Sequence, residues 1–267
     1  MTMWDANSSY NGLQVQVNRR YTRGFQYGVA YTYSKTLDYG KDDDSSDVSL
    51  GRPYKPFNYG PADFDQKHIF TVNYIWDLPN LSPHWNNRVV RAVFDHWQVS
   101  GTTSAASGKP KTFGTGTGLN WTFAGTASAT NITDFTGGDI NARPVVICDP
   151  NRRPGTFAPD GSPYLIDTSC FAKPGTPGAI GNLQRNLIRL PAIFNTDLAF
   201  FKNIPLGEKR AIQLRWETYN LFNHTNYTDI NGAMTFDATG KQTSTTFGTA
   251  RATRAPRVMQ ASLRINF

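Results

Sequence analysis

The sequence has no long apolar run. Its longest runs of consecutive apolar residues contain four, such as 145–148, whereas a membrane-spanning helix needs about 20. A transmembrane helix is therefore excluded. A transmembrane β-barrel is not, because its strands alternate apolar and polar residues and leave a weak hydropathy signal. Charged residues are also scarce, at 18% of the chain against about 25% in average proteins.

Basic residues outnumber acidic ones but never form a cluster. Lys and Arg total 27 against 20 Asp and Glu, which gives a net charge of +7. No basic run reaches five residues, and a nucleic-acid interface needs its positive charge concentrated on one face or stripe. We therefore predict no nucleic-acid partner.

The residue patterns of common enzymes and metal sites are missing as well. The four histidines have no metal-binding spacing, and the chain contains no Gly-x-Ser-x-Gly nucleophile motif. Gly108-Lys109 lacks the spacing and the hydroxyl residue of a phosphate-binding loop. The sequence thus predicts no catalytic residues, no metal site and no cofactor.

There are only two cysteines, Cys148 and Cys170, and both fall in one Pro- and Gly-rich region. A disulfide between them would suit an oxidising compartment; the alternative is two unpaired small apolar residues. The first residues lack the basic and apolar regions of a signal peptide. Either the protein is cytosolic or residue 1 is not the true beginning, and the strand pattern below favours the second interpretation.

What the chain does have is alternation of apolar and polar residues with a period of two. In the last segment Met259, Ala261, Leu263, Ile265 and Phe267 share one face, and Gln260, Ser262, Arg264 and Asn266 share the other. The same pattern recurs upstream. It predicts seven strands, near 10–21, 25–37, 66–78, 97–107, 192–203, 209–221 and 257–267.

These predicted strands have the length and the two faces of membrane-spanning ones. Strands of soluble sheets usually have about 5–6 residues, whereas a tilted spanning strand needs about 9–11. We expect the polar face to line a wet lumen, and its candidate lining residues are Gln14, Gln26, Gln213, Arg215 and Arg264. Glu217 and Asp197 should also face the lumen, either within a polar ladder with Arg215 and Arg264 or as an acid/base pair.

The predicted connections alternate strictly between short and long. The joins 22–24, 79–96 and 204–208 are the short ones, and 38–65, 108–191 and 222–256 are the long ones. Outer-membrane barrels have short periplasmic turns and long extracellular loops. The fold class predicted for residues 1–267 is therefore all-β: an antiparallel up-and-down meander of about seven long strands, part of a transmembrane β-barrel with long extracellular loops.

Two of the connections carry predictions of their own. The spacing of Val89, Val90, Val93 and Phe94 in the 79–96 join indicates a short amphipathic helix at the periplasmic rim. The loop region 108–191 is too long to lack structure, and we expect a turn-rich lobe near 144–174. Its aromatic residues are candidates for stacking on a ligand: Trp121, Phe123, Tyr164 and Phe171.

Several segments resemble TonB-dependent outer-membrane receptors, and within them the Oar-like subgroup. The similar stretches, in chain order, are residues 7–14, 63–68, 97–101, 181–186 and 220–224. The final Arg-Ile-Asn-Phe resembles the C-terminal signal read by the barrel assembly machinery, with Met259, Ala261, Leu263, Ile265 and Phe267 as the signal residues. The resemblance extends over nearly the whole chain and is weakest over 113–180.

The resemblance implies a transporter in the outer membrane of a Gram-negative bacterium that takes up a large ligand, such as a glycan or a siderophore. Its partners would be outer-membrane lipid, the barrel assembly machinery, the ligand, and the TonB complex acting through a plug that this chain lacks. Transporters of this class close about 22 strands around the plug. We therefore expect a C-terminal portion of a barrel. The alternative is a secreted all-β adhesion or glycan-binding module.

Overall fold

The structure, a computed structural model, describes residues 7–39, 58–83, 87–111, 122–123, 143–175, 179, 181–206, 210–237 and 239–267. No helix among these residues has the length and apolarity needed to span a membrane. An α-helix, α1, covers Arg88–Phe94.

Seven long strands form one antiparallel sheet. Each of the five inner strands pairs with the long strands before and after it in the chain, and this arrangement is an up-and-down meander. This confirms the predicted fold class, and the strand ends differ from the predicted ends by no more than two residues. The strands are β1 Ser9–Thr22, β2 Phe25–Asp38, β3 His68–Asp77, β4 Trp97–Ala106, β5 Ile193–Pro205, β6 Ala211–Tyr219 and β7 Val258–Asn266.

The sheet is open. Within the described residues β1 pairs only with β2, and β7 pairs only with β6. Both outer strands therefore present a free edge, and the described residues do not close a barrel.

The strand register gives the sheet a mainly apolar face and a mainly polar face. Val29 lies opposite Val72, and Phe200 lies opposite both Val99 and Trp216, so apolar residues meet across the strands. This apolar face is well exposed: Leu13 is 60%, Trp216 50% and Leu263 59% accessible. The sequence alternation therefore places a broad apolar surface on the outside of the sheet instead of in a core.

The join between β3 and β4 has the helix that the sequence predicts. Asn87 accepts a hydrogen bond from the Val89 amide at 2.8 Å and caps α1 at its N-terminus. At the other end, Asp95 is buried, and its Oδ1 accepts hydrogen bonds from the backbone amides of Leu81 (2.8 Å) and Ser82 (3.0 Å). The carboxylate thus ties the two halves of the connection together.

At the opposite end of the sheet, the long connections build what we call the loop lobe, residues 143–175, 181–190, 227–237 and 239–253. Its short strands pair Val145–Val146 with Phe171–Ala172 and Tyr227–Ile230 with Ala250–Thr253. Further short pairs join Pro110–Lys111 to Ile188–Arg189, Thr122–Phe123 to Thr235–Phe236 in parallel, and Gly60–Pro61 to β2. A 3₁₀ helix covers Thr168–Cys170.

The loop lobe contains a hydrophobic core of its own. Two connections contribute to this core, because 165–188 and 230–247 both supply fully buried side chains. The sequence interpretation expected a lobe within 144–174 alone and missed the second contribution. The buried apolar residues are Leu165, Ile166, Cys170, Phe171, Leu183, Ile188, Ile230, Met234, Phe236 and Phe247.

The Asp95 carboxylate generates a prediction about the β3–β4 connection. The pKa of Asp95 lies below its ordinary value. Burial raises this pKa, but the hydrogen bonds from the Ser82 side chain and from the Ser82 and Leu81 amides together lower it by more than burial raises it. Because the folded pKa is lowered, this stabilisation is present above the unfolded pKa and is lost as pH falls through the folded pKa. The protection factors of the Leu81 and Ser82 amides, measured against their intrinsic exchange rates at each pH, should therefore be high at neutral pH and fall in strong acid.

The same exchange measurement on two variants separates the carboxylate from the rest of the connection. Asp95→Ala should accelerate exchange at both amides already at neutral pH, because both lose their acceptor. Asp95→Asn is the matched control, since its amide oxygen still accepts hydrogen bonds. Unchanged exchange in Asp95→Ala would show that other contacts hold the connection.

Candidate functional site: the polar face and the loop lobe

The five residues predicted to line a lumen all lie on the second, polar face of the sheet. Gln14 is opposite Thr32 and Gln26 is opposite Ile75. Gln213 lies between Asn203 and Arg264, and Arg215 lies between Phe201 and Ser262. One register therefore aligns side chains that are up to 250 residues apart (14 to 264).

The polar face contains a shallow cavity of about 280 Å³ in the middle of the sheet. Strands β2 to β6 all contribute to its wall, so it exists only once the meander has formed. The polar side chains in its lining are Gln26, Asn73, Ser100, Thr102, Asp197, Glu217 and Tyr219.

The two carboxylates in this cavity wall have separate partners. Glu217 is 7% exposed and accepts hydrogen bonds from Arg215 and from the Gln260 side chain. Asp197 accepts from the Asn195 side chain at 2.8 Å and from the Asn220 amide at 2.9 Å. Glu217 and Arg215 are therefore paired, as the predicted polar ladder requires. Asp197 instead accepts its hydrogen bonds from the Asn195 side-chain amide and the Asn220 backbone N–H.

An ionic network joins the loop lobe to the end of the sheet. Arg185 forms ion pairs with Asp38, at the end of β2, and with Asp63 at 3.4 Å. Asn186 donates to the same Asp63 oxygen at 2.6 Å and to the Pro61 carbonyl at 2.7 Å. Two stretches that carry the family resemblance, 63–68 and 181–186, thus contact each other directly.

Asp65 is the most buried member of this network. Its side chain is fully inaccessible, and it pairs with Arg189 at 2.5 Å. Its other oxygen accepts from the Thr36 amide on β2 at 2.7 Å. One carboxylate therefore binds both the sheet and the lobe.

A buried arginine and a close backbone approach complete the base of the lobe. Arg143 is 2% exposed and donates to Asn58 Oδ1 at 3.0 Å and to the Leu183 carbonyl at 3.2 Å. A Cβ at Gly181 would lie 1.8 Å from the Arg143 carbonyl, and Gly181 has a φ of +67°. Only glycine satisfies both conditions at this position.

The two cysteines are joined in a disulfide, Cys148–Cys170. It links the segment after Val145–Val146 to the segment before Phe171–Ala172, so it staples an existing strand pair. The carboxylate of Asp167 lies nearby, and the three residues together have a metal-like arrangement. With both sulfurs oxidised, no thiolate is available to bind an ion.

The structure changes the interpretation of the four candidate ligand aromatics. Phe171 is wrong as a stacking residue, because it is 2% exposed and contacts Phe247 edge-on at 5.1 Å inside the lobe core. Tyr164 is half-buried and its hydroxyl donates to the Thr245 carbonyl at 2.6 Å. Trp121 lies outside the described residues. For Phe123 only the backbone is described, in Thr122–Phe123.

A second charged pair holds the part of the lobe that contains the short strand Tyr227–Ile230. The Lys111 ammonium lies 2.7 Å from Asp229 on the short strand Tyr227–Ile230. Burial raises the pKa of Asp229, but hydrogen bonds from Lys111 and the Ile230 amide, together with the charges of Lys111 and Arg251, lower it below the ordinary value. Asp229 therefore stays ionised and paired at neutral pH.

An antiparallel meander with long strands, an exposed apolar face and a polar face is the wall of a transmembrane β-barrel. Comparison with known families agrees. The model of a family described as "Outer membrane beta barrel domain" matches residues 1–260, and the chain belongs to this family. Its location is the outer membrane. No curated protein and no solved structure gives a significant match.

The Asp65 network generates the second prediction. Asp65→Ala should destabilise the attachment of the lobe by about 3–5 kcal/mol, because it leaves Arg189 and the Thr36 amide without their acceptor. Tryptic cleavage after Arg185 and Arg189 should then accelerate at least about tenfold, since a factor of ten corresponds to only about 1.4 kcal/mol.

The matched control is Asp160→Ala in an exposed turn of the lobe. Asp160 accepts only a local hydrogen bond, from the Ser162 amide at 2.9 Å, so cleavage should stay at the wild-type rate. Equal cleavage of the two variants would mean that the network does not hold the lobe on the sheet.

Proposed function

We propose that the outer-membrane β-barrel to which this chain belongs is a TonB-dependent transporter of the Oar-like type, and that the chain is its C-terminal portion. The support is the resemblance of five ordered segments, together with the Asp63–Arg185 contact that joins two of them. In this proposal the barrel takes up a ligand too large for a porin, such as a glycan or a siderophore.

The apolar face is the observation that favours a membrane wall over a soluble module. Within the described part of the chain, Trp76, Trp216 and Leu263 remain 45–59% exposed, whereas a soluble sandwich would bury such a face against a second sheet. The secreted adhesion or glycan-binding alternative explains the disulfide-linked lobe but leaves this surface in water.

The open edges favour a larger barrel. Unpaired backbone groups of β1 and β7 would cost several kcal/mol each in lipid, so further strands are needed to pair them. In the proposal these strands belong to the same transporter, which also contains the plug that couples to the TonB complex. Transport along the polar face needs no bond chemistry, so we propose no enzymatic activity.

The loop lobe and the polar face take separate roles in this proposal. The lobe, anchored through Asp65 and Arg185, meets the ligand first at the outer surface. Gln14, Gln26, Gln213, Arg215 and Arg264 then line the path inward. The barrel assembly machinery recognises β7 and the terminal Phe267. The β7 signal residues Met259, Leu263 and Ile265 are 54–59% exposed on the apolar face, and Phe267, which follows the strand, is 96% exposed.

The membrane placement of the apolar face is tested by a pair of adjacent substitutions. Val72 lies near the middle of β3 on the apolar face, and Asn73 lies on the polar face. Val72→Arg should destabilise the barrel by about 2–4 kcal/mol, because it moves a charge into the lipid midplane, whereas Asn73→Arg should be tolerated. The measurement is the amount of heat-modifiable protein that each variant gives in the outer-membrane fraction. Equal tolerance of both variants would contradict a lipid-facing β3.

The transport proposal is tested on cells that express the reading frame together with the DNA upstream of residue 1. That DNA should encode further alternating strands and a plug. Cells are incubated with fluorescent glycans and ferric siderophores, with and without a protonophore. In the presence of the protonophore, ligand binding at the cell surface should persist while uptake is lost, because TonB draws its energy from the inner membrane.

Two outcomes would contradict the transporter. One is uptake that is insensitive to the protonophore, which indicates a passive pore. The other is an in-frame stop and a ribosome-binding site directly upstream of residue 1, together with secretion of a soluble product, which indicates the adhesion or glycan-binding module.

A further inference from the structure

An apolar cleft of about 690 Å³ lies where the β3–β4 connection overhangs the outer face of the sheet. One wall is the connection itself, with Leu78, Pro79, Leu81 and Phe94. The other wall is the apolar face, with Trp97, Phe200 and Trp216 from β4, β5 and β6. The cleft is therefore at the end of the sheet that has the short joins, the periplasmic end in a barrel of this kind.

The lining offers no free hydrogen-bonding side chain. The two indole N–H groups are both engaged: Trp97 donates to the Val93 carbonyl at 2.7 Å, and Trp216 donates to the Thr218 hydroxyl at 3.2 Å. The other lining residues are Leu, Pro and Phe. An occupant with polar groups would lose its hydrogen bonds to water and gain none here, so the chemistry of the cleft selects a hydrocarbon chain.

A cation beside the cleft is also engaged. Lys202 lies on the same face, is 5% exposed, donates to the Asp95 carbonyl, and has its ammonium 5.5 Å from the Trp97 ring centre. It is therefore bound within the rim and is not presented to a headgroup. The described lining of the cleft therefore recognises an occupant by its apolar part.

The cleft is continuous with the surface that faces lipid. It shares Trp97, Phe200 and Trp216 with a second groove of about 400 Å³ that runs to Leu214 and Leu263. Beside it, α1 exposes Val89 and Val93, four residues apart on one side of the helix, at 67% and 48%. A short amphipathic helix with exposed apolar residues is suited to lie in the membrane interface.

We propose that this cleft holds one acyl chain of a phospholipid from the periplasmic leaflet, with α1 lying in that leaflet as a rim anchor. The observation that carries the proposal is an open apolar cleft, walled by the β3–β4 connection and the sheet, whose two indole N–H groups are already bonded and which continues into the lipid-facing surface. The proposal depends on the membrane placement of the sheet but not on the identity of the transported ligand.

The test uses cells that express the full chain with its upstream reading frame and grow on a fatty acid with a diazirine at the chain end. After irradiation, labelled peptides are mapped by mass spectrometry. Residues 78–81, 94–97, 200 and 216 should be labelled at least fivefold more than the apolar face of β1 (Leu13, Val15 and Val17). Leu81→Trp, which fills the cleft, should reduce that labelling at least threefold. Leu13→Trp adds the same indole on β1 and should leave it unchanged.

Three results would overturn the proposal. Even labelling over the whole apolar face would indicate ordinary surrounding lipid. Cleft labelling that Leu81→Trp does not reduce would place the label outside the cleft. Cross-linking of the cleft to another protein would assign it to a protein partner. Even labelling would contradict the cleft proposal but would still place the apolar face in lipid. Absence of label from every apolar-face residue would contradict the membrane placement itself. The failure of the cleft proposal and the failure of the membrane placement are therefore distinguishable.

Discussion

The pairing of backbone N–H and C=O groups between neighbouring strands is the constraint on which the rest of the structure depends. In a lipid layer no water is available to satisfy these groups, so a chain that crosses with strands must pair them continuously. The meander does this from β1 to β7, each strand bonded to its sequence neighbour. Because pairing fixes the register, it also decides which residues face lipid and which face the polar side.

The two ends of the sheet are built differently because their connections differ in length. At the rim, β1 and β2 are joined by a turn at Arg23 and Gly24, both with positive φ, and the β3–β4 connection is held by one buried carboxylate, Asp95. At the other end the connections are long enough to bury an apolar core of their own. That lobe is attached to the sheet by charge pairs, because the strand ends offer carboxylates such as Asp38 and Asp65.

The attachment of the lobe has consequences for function. Arg185, Arg189 and Arg143 come from the lobe, whereas their partners come from β2 and the segment that follows it. Buried charge pairs require specific geometry, because an unpaired partner is costly to leave without water. They therefore fix one position of the lobe at the end of the sheet, where the proposed transporter would meet its ligand.

The sequence alone accounts for the long strands, their order, the helix at Arg88–Phe94 and the two faces of the sheet. These features depend on local periodicity, and a period of two assigns each residue to a face without knowledge of its neighbours. The contacts between distant segments were decided only by the tertiary structure. Phe171 is an aromatic loop residue in the sequence but a core residue in the fold, because 230–247 covers it. Asp65 and Arg189 become a buried pair, and the rim cleft forms between Leu81 and Trp216, because pairing and packing bring together residues that have no common pattern in the chain.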